Sequence, residues 1–341
     1  MDWTDLPLAR ATVDRAAERR ADPELVAGLR ALDSTGVVLV HRGLVATVAD
    51  ADGSALDLLA PADVADAAPS ADGWLFLGAD DARGYLALVL ADADADAGTE
   101  ADPSVPPADL EGFAGGDGAG RAAAERAAAL QGELVAGRQW SHLRQVGAAM
   151  PGRDAGLGVT AVALAAWHRT HRCCPRCGTP TVVAHAGWVR HCPTDGTDQY
   201  PRTDPAVIMA IVDADDRLLL GHAAHWPERR FSTLAGYVEP GESLEQAVRR
   251  EVDEEVGVTV GEVAYRGSQP WPFPASLMLA FRGTATSTDL RPDGVEVTEA
   301  RWFTRAELAD AAAAGDVLLP MRASIARALI EEWAGTELPG A

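Results

Sequence analysis

Residues 236–258 read GYVEPGESLEQAVRREVDEEVGV, and their spacing sets the frame for the rest of the chain. Leu244, Val248, Val252 and Val256 recur every four residues, an apolar stripe drifting slowly around one helix face, and Gly257 stands where a left-handed residue ends a helix. Glu251, Glu254 and Glu255 fall at i, i+3 and i+4, inside a sector of about 100° beside that stripe. Like charges so placed repel by a few tenths of a kcal/mol per pair, and the last turns of a helix disfavour anions by a further ~0.3–1 kcal/mol each. A divalent cation would reverse both penalties. A solvated acidic face in an acidic chain would present the same three residues.

The wider spacing separates these readings. Gly236, five residues, Glu242, seven residues, Arg250-Glu251-Val252, one residue, Glu254-Glu255, one residue, then Gly257-Val258 matches every fixed position of the Nudix box. The chain therefore resembles a Nudix hydrolase. The resemblance implies a Nudix fold, α/β (α+β) in class, with a mixed sheet in an α/β/α sandwich. It also implies Mg²⁺ or Mn²⁺ held by Glu251, Glu254, Glu255 and the Ala235 carbonyl, with hard oxygen ligands suited to such ions. Arg250 would orient the carboxylates, and Glu254 would be a further ligand or the base. EVTEARWF, residues 296–303, resembles the segment that supplies one more metal carboxylate; Glu296 is the choice and Glu299 the reserve.

Ten residues beyond the box lies SQPWPFPASLM, residues 268–278. Three prolines at alternate positions predict a stiff, extended loop that cannot be a central strand and that displays Trp271 and Phe273 at low entropic cost. Such a string could plug a sheet edge or stack on a planar heterocycle. It resembles the hallmark of the NADH pyrophosphatase branch of the family. That resemblance implies substrate contacts at Gln269, Pro270, Trp271, Pro272, Phe273, Pro274, Ala275 and Ser276, with Tyr200 from QYPRTDPAVI and Ala326 from SIARALI as further contacts. Tyr237 is an aromatic placed either to stack on nicotinamide or to pack in the core.

Cys174-Pro-Arg-Cys177-Gly is half of a zinc ribbon, and a second pair should follow about 15 residues later. The chain has Cys192-Pro-Thr-Asp195-Gly instead, so Asp stands where the branch has its fourth Cys. Structural Zn²⁺ on Cys174, Cys177, Cys192 and Asp195 is one reading. Cys173 or His191 as the fourth ligand is a second, and a metal-free loop held by packing is a third. His222 and His225 read as surface or substrate-loop residues.

The chain has 341 residues, 48% hydrophobic and 23% charged, which excludes wholesale disorder and a disulfide-dense miniprotein and makes two domains or more the starting expectation. Asp plus Glu is 51 against 29 basic residues, a net charge of −22, and there is no Lys and no Asn. That composition matches the drift of a GC-rich genome and excludes any mechanism with a catalytic Lys. It also opposes non-specific binding to nucleic acid or anionic membrane. The acidic N-terminus lacks a signal-peptide pattern and no apolar run reaches the ~18 residues of a membrane span, so a cytoplasmic protein is expected.

Short apolar runs before residue 90 predict strands, 91–112 a flexible acidic loop, 121–135 and 158–168 helices, and 321–333 a C-terminal helix. The expected domains are residues 1–168, a degenerate Nudix-like part supporting a homodimer, 169–203, a zinc-ribbon-like knuckle, and 204–335, the catalytic Nudix domain. The expected reaction is hydrolysis of NADH or NAD⁺ to nicotinamide mononucleotide and AMP. Removal of an NAD cap from RNA, a broader ADP-ribose hydrolase and a dinucleotide-sensing module that does not cleave are the alternatives.

Overall fold

The computed structural model describes residues 3–50, 53–68, 73–91 and 118–340; the expected acidic loop lies outside them apart from Ala91. The chain forms two compact units. One comprises Met1–Ala11, Leu143–Val159 and Arg202–Ala341, the other Thr12–His142 and Thr160–Pro201.

In chain order the strands are β1 (Gly36–His41), β2 (Leu44–Asp50), β3 (Gly53–Leu56), β4 (Trp74–Ala79), β5 (Gly84–Val89), β6 (Gln139–Ser141), β7 (Val182–Ala184), β8 (Val189–His191), β9 (Asp198–Gln199), β10 (Asp204–Val212), β11 (Leu218–Ala223), β12 (Leu234–Tyr237), β13 (Val260–Trp271), β14 (Ser276–Ala285) and β15 (Val297–Phe303). The helices are α1 (Leu25–Arg30), α2 (Gly118–Ala136), α3 (Leu143–Val146), α4 (Gly152–Thr170), α5 (Leu244–Val256), α6 (Arg305–Ala314) and α7 (Ile325–Ala334).

The unit that carries α5 is built on a mixed sheet of order β13-β14-β10-β11-β15, with β12 also paired to β10. β10 and β14 run parallel and the other pairs antiparallel. PAVIMAIV in β10 is apolar without alternation because both of its faces are covered. Val207, Met209 and Ile211 join one core with Val248, Val252 and Val256 of α5, while Ile208, Ala210 and Val212 join another with Leu329, Ile330 and Trp333 of α7. This is the α/β/α sandwich that the resemblance implied.

The second unit repeats the path. Its sheet runs β4-β5-β1-β2-β3 with β1 and β5 parallel, as β10 and β14 are, and with β6 on β2. In both units a hairpin opens the sheet and the later strand of a second hairpin lies parallel to the first strand. The second unit has no counterpart of α5: among the described residues only the short turns Pro61–Asp63 and Ala65–Ala67 lie between β3 and β4. A three-stranded sheet, β7-β8-β9, carries the cysteine segment.

One expectation needs correction. Residues 268–271 are the last turn-ward residues of β13, not a loop; Pro270 pairs with Leu277 and is tolerated because β13 is the sheet edge. The prolines beyond it form the tight connection to β14, with Phe273–Pro274 in cis. α6 is a helix that the Ala-rich composition concealed, opened by a Thr304/Glu307 capping box.

Candidate active site

α5 begins at Ser243, whose hydroxyl accepts from the Gln246 amide at 3.2 Å while the Gln246 side chain accepts from the Ser243 amide at 2.9 Å. It ends at Gly257, φ +70°, whose N–H reaches the Asp253 carbonyl at 2.8 Å. These caps fix the register of the carboxylates. Arg250 is the hub: its guanidinium donates to Glu242 at 2.6 and 3.1 Å, to Glu251 at 2.9 Å, to Glu254 at 3.0 Å and to the Tyr237 carbonyl at 2.9 Å. The Glu242 pairing leads in raising the Arg250 pKa and in holding Glu242 below the usual carboxylate range.

Gly236 is the other fixed point. A β-carbon there would lie 1.9 Å from the Glu251 carboxyl carbon, so only glycine lets β12 pass this close to the helix. Glu251 is pushed above its ordinary value, chiefly by burial. Glu255 goes further, to about 8, through burial first and then the charges of Glu251, Glu296, Asp293 and Glu254. It is 6% exposed, and its Oε2 has no hydrogen-bond partner among the described residues. A buried carboxylate oxygen without a donor is costly unless a cation takes it. The donor set is all oxygen, which fits Mg²⁺ or Mn²⁺.

Glu255 faces a cavity of about 650 Å³ that is also lined by Ala235, Glu296, Trp271, Met278, Ser324 and Ala326. Glu296 therefore lines the cavity beside Glu255, whereas the reserve, Glu299, is absent from its lining and is ion-paired with Arg301. Asp293 accepts from the amides of Val295, Glu296 and Val297 and so fixes the turn that presents Glu296. Other expected contacts lie elsewhere. Gln269 is fully buried, donating to the Ala323 carbonyl at 3.0 Å and accepting from the Ile325 amide at 2.8 Å, so its amide caps the start of α7. Ser276 is buried and its hydroxyl lies 3.2 Å from that of Tyr237, whose ring is exposed rather than packed in the core. Tyr200 belongs to the second unit and is 67% exposed. Pro272, Phe273, Pro274 and Ala275 shape the β13–β14 connection, Pro270 pairs with Leu277 within β13, and none of these, unlike Trp271, lines the cavity.

Arg144 was not legible as a site residue. It projects from α3, lines the cavity, and its guanidinium carbon lies 5.4 Å from the Trp271 ring centre and 4.6 Å from that of Phe273. Burial, then the charge of Arg230, lowers its pKa. No motif surrounds it; the only cue in SHLRQV is a basic residue in an acidic chain. His222, by contrast, is structural, with Nδ1 2.7 Å from the Arg230 carbonyl.

The cysteine segment holds two matching knuckles. Gly178 N–H reaches the Cys174 carbonyl at 2.9 Å and Cys174 N–H the Thr179 carbonyl at 2.8 Å; Gly196 reaches Cys192 at 3.0 Å and Cys192 reaches Thr197 at 2.9 Å. Gly178 and Gly196 share a left-handed φ, +74° and +71°. Asp195 thus occupies the place in the second knuckle that Cys177 has in the first. The ligand atoms of Cys174, Cys177, Cys192 and Asp195 all lie within 4.8 Å of one another. Thr197 N–H and Oγ1 engage Asp195 Oδ1 at 3.0 and 2.5 Å, leaving Oδ2 3.4 Å from Cys174 Sγ. His191 is turned to Asp198 at 2.7 Å, and Cys173 is exposed outside the cluster.

Residues 202–322 match the family model of the NUDIX domain, and residues 169–200 that of the NADH pyrophosphatase zinc ribbon domain. This chain carries a Nudix domain. Its box is α5 with the preceding turn, and a zinc ribbon precedes it. Over 205 residues the chain is 48% identical to the NAD-capped RNA hydrolase NudC of Mycobacterium bovis, covering 57% of this chain and 65% of that protein. The human NAD-capped RNA hydrolase NUDT12 is 40% identical over 193 residues, 53% of this chain and 42% of that one. The chain thus matches less than two thirds of the length of these relatives. A solved NUDIX hydrolase from Nitrosomonas europaea overlaps 49% of this chain and 95% of that one at 22% identity, with a TM-score of 0.37. No helix among the described residues is long and apolar enough to cross a membrane.

Proposed function

We propose that the protein hydrolyses the pyrophosphate bond of NADH or NAD⁺, consuming one water and releasing AMP and nicotinamide mononucleotide, in its reduced form from NADH, with Mg²⁺ or Mn²⁺ at Glu251, Glu254, Glu255, Glu296 and the Ala235 carbonyl. The observation that carries this is Glu255, buried, partnerless at Oε2 and facing a cavity that Trp271 also lines. A cation held by these residues would supply charge that acidifies a neighbouring water and offsets charge on the leaving phosphate. The chain's own groups do the rest. Arg250 locks Glu251 and Glu254 in place, and burial beside Glu251 and Glu296 raises the Glu255 pKa, a cost that a cation held there would offset. Glu254, with its side chain 60% exposed, is the group best placed to exchange a proton with solvent. Trp271 and Arg144 supply flat faces for a nucleobase or its ribose.

Incubating the protein and Mn²⁺ with NADH, NAD⁺, ADP-ribose and NAD-capped RNA, beside Glu255→Gln, tests the reading. No AMP from NADH, NAD⁺ or ADP-ribose and no nicotinamide mononucleotide from the capped RNA would sink it, and equal rates on ADP-ribose would sink the assigned specificity. Removal of the NAD cap from RNA is the second reading, favoured by what the mycobacterial and human relatives are named for. Zn²⁺ on Cys174, Cys177, Cys192 and Asp195 is proposed as structural, supported by the matching knuckles; Cys₃Asp is acceptable because carboxylate oxygen ligates zinc. The division 1–168, 169–203 and 204–335, and a cytoplasmic homodimer, complete the proposal, the latter tested by light scattering on gel-filtered protein.

A further inference from the structure

The connection from β11 to β12 includes Ala224–Arg230, a segment outside every motif named above. It is held at both ends by main chain: Ala224 N–H to the Glu296 carbonyl at 3.1 Å, Leu318 N–H to the Arg229 carbonyl at 2.8 Å and Phe231 N–H to the Leu318 carbonyl at 3.1 Å. Arg229 adopts φ +67°, a conformation costly for any residue but glycine, and its guanidinium is tied to the Gly315 carbonyl at 2.9 Å. Strain that the surroundings enforce in this way fixes the direction of the next side chain.

The segment turns His225, Trp226 and Arg230 to the cavity that Glu255 faces. The Arg230 guanidinium carbon lies 5.2 Å from the Trp226 ring centre, and the His225 ring meets Trp226 edge-on at 6.0 Å. Among the described residues the Arg230 guanidinium has no carboxylate or hydrogen-bond partner. In a chain with 51 acidic and 29 basic residues that is a notable omission. Arg230 is also close enough to Arg144, on the same cavity, for their charges to repel. A guanidinium without a carboxylate, held at the cavity by a fixed loop, is relieved by an anion. The diphosphate of the proposed reaction is already served by the carboxylate end of the cavity and its cation. The second concentration of charge calls for a second anionic group.

We propose that Arg230, backed by the Trp226 ring, is a subsite for a phosphate carried on the substrate's ribose, outside the diphosphate that is hydrolysed. The inference rests on the NAD(H) reading of the cavity and deepens it to substrate class. A guanidinium presents a fork of donors that fits phosphate oxygens, and a ring beneath it limits the orientations it must lose on binding. Two sources share this chemistry: the 2′-phosphomonoester of a phosphorylated dinucleotide, and the 3′-phosphodiester of a dinucleotide that begins an RNA chain.

The test is equilibrium binding with no Mg²⁺ or Mn²⁺ added, on protein that keeps its zinc, so that binding is read without turnover. NADH and NADPH are titrated by their fluorescence, and NAD⁺ and an NAD-capped oligonucleotide by displacement of NADH, on wild type, Arg230→Gln, Arg230→Lys and Trp226→Leu. Wild type is expected to favour one phosphate-bearing ligand over its plain counterpart, and Arg230→Gln to shrink that ratio by about tenfold, with Arg230→Lys restoring part of it. A collapse confined to the NADPH/NADH ratio identifies the 2′-phosphate; one confined to the oligonucleotide ratio identifies the phosphodiester. Ratios that stay the same in Arg230→Gln, whether all affinities fall together or none does, overturn the subsite. Melting temperatures show whether the variants are folded. Failure of wild type to hydrolyse any dinucleotide when Mn²⁺ is added would sink the hydrolase reading and leave the binding ratios to decide the subsite.

Discussion

Glu255 shows how one position can oppose stability and serve function. Its burial beside Glu251 and Glu296 makes ionisation costly, and a bound cation would offset that cost. Glu255→Gln should lower kcat by about 10²–10³-fold, the scale of several kcal/mol of lost charge stabilisation. It should also cut the rise in melting temperature that added Mn²⁺ gives the wild type; an undiminished rise would place the metal elsewhere. Gly236 is the companion case. Gly236→Ala drives a methyl group into the Glu251 carboxylate, and a displacement of that order should cost about 10²-fold in kcat while far-ultraviolet circular dichroism stays unchanged.

The cysteine segment is short and carries few apolar residues, so its ligands are expected to matter more than its packing. The two knuckles keep the same hydrogen bonds although one ends in Cys177 and the other in Asp195, so the backbone preserves the geometry and only the ligand atom differs. Asp195→Cys should tighten zinc, Asp195→Ala weaken it by about 10–100-fold, and Thr197→Val weaken it less by freeing the carboxylate to rotate; competition with a chromophoric chelator reads all three. Loss of zinc on mutating Cys173 or His191 instead would move the fourth ligand. α5 was legible because its stripe, caps and acidic cluster lie within 23 consecutive residues. α6 was hidden, since ten residues dominated by Ala carry no apolar face to detect, and β13 was cut short because the prolines at its end look like loop when the sheet edge is unknown.

For the whole molecule, the first eleven residues and Leu143–Val159 are grouped with residues 202–341, which no composition boundary suggested. Leu6 and Leu8 are 2% and 1% exposed, Gly147 leaves room for Leu8, and Arg10 donates to the carbonyls of Gly147 and Ala148. Deleting residues 1–11 should therefore destabilise this unit by about 3–6 kcal/mol, taking roughly 1.5–3 kcal/mol for each buried leucine as an upper bound. Urea unfolding measures it, and an unchanged midpoint would mean the segment only decorates the surface. Most of the net charge of −22 remains compositional; the carboxylates that matter are those on one end of one cavity.

Residue spacing alone carries the chemistry that is local in the chain: the box, the aromatic string before β14 and the knuckle spacing. Each is a fixed interval along one helix, one strand or one turn, where geometry follows directly from residue number. Tertiary structure alone decided what surrounds that chemistry. Arg144 reaches Trp271 from α3, Gln269 spends its amide on α7, and Trp226 and Arg230 share a cavity with Glu255. These meetings join segments tens to more than a hundred residues apart. They are set by which apolar faces bury against one another, and no spacing along the chain encodes that.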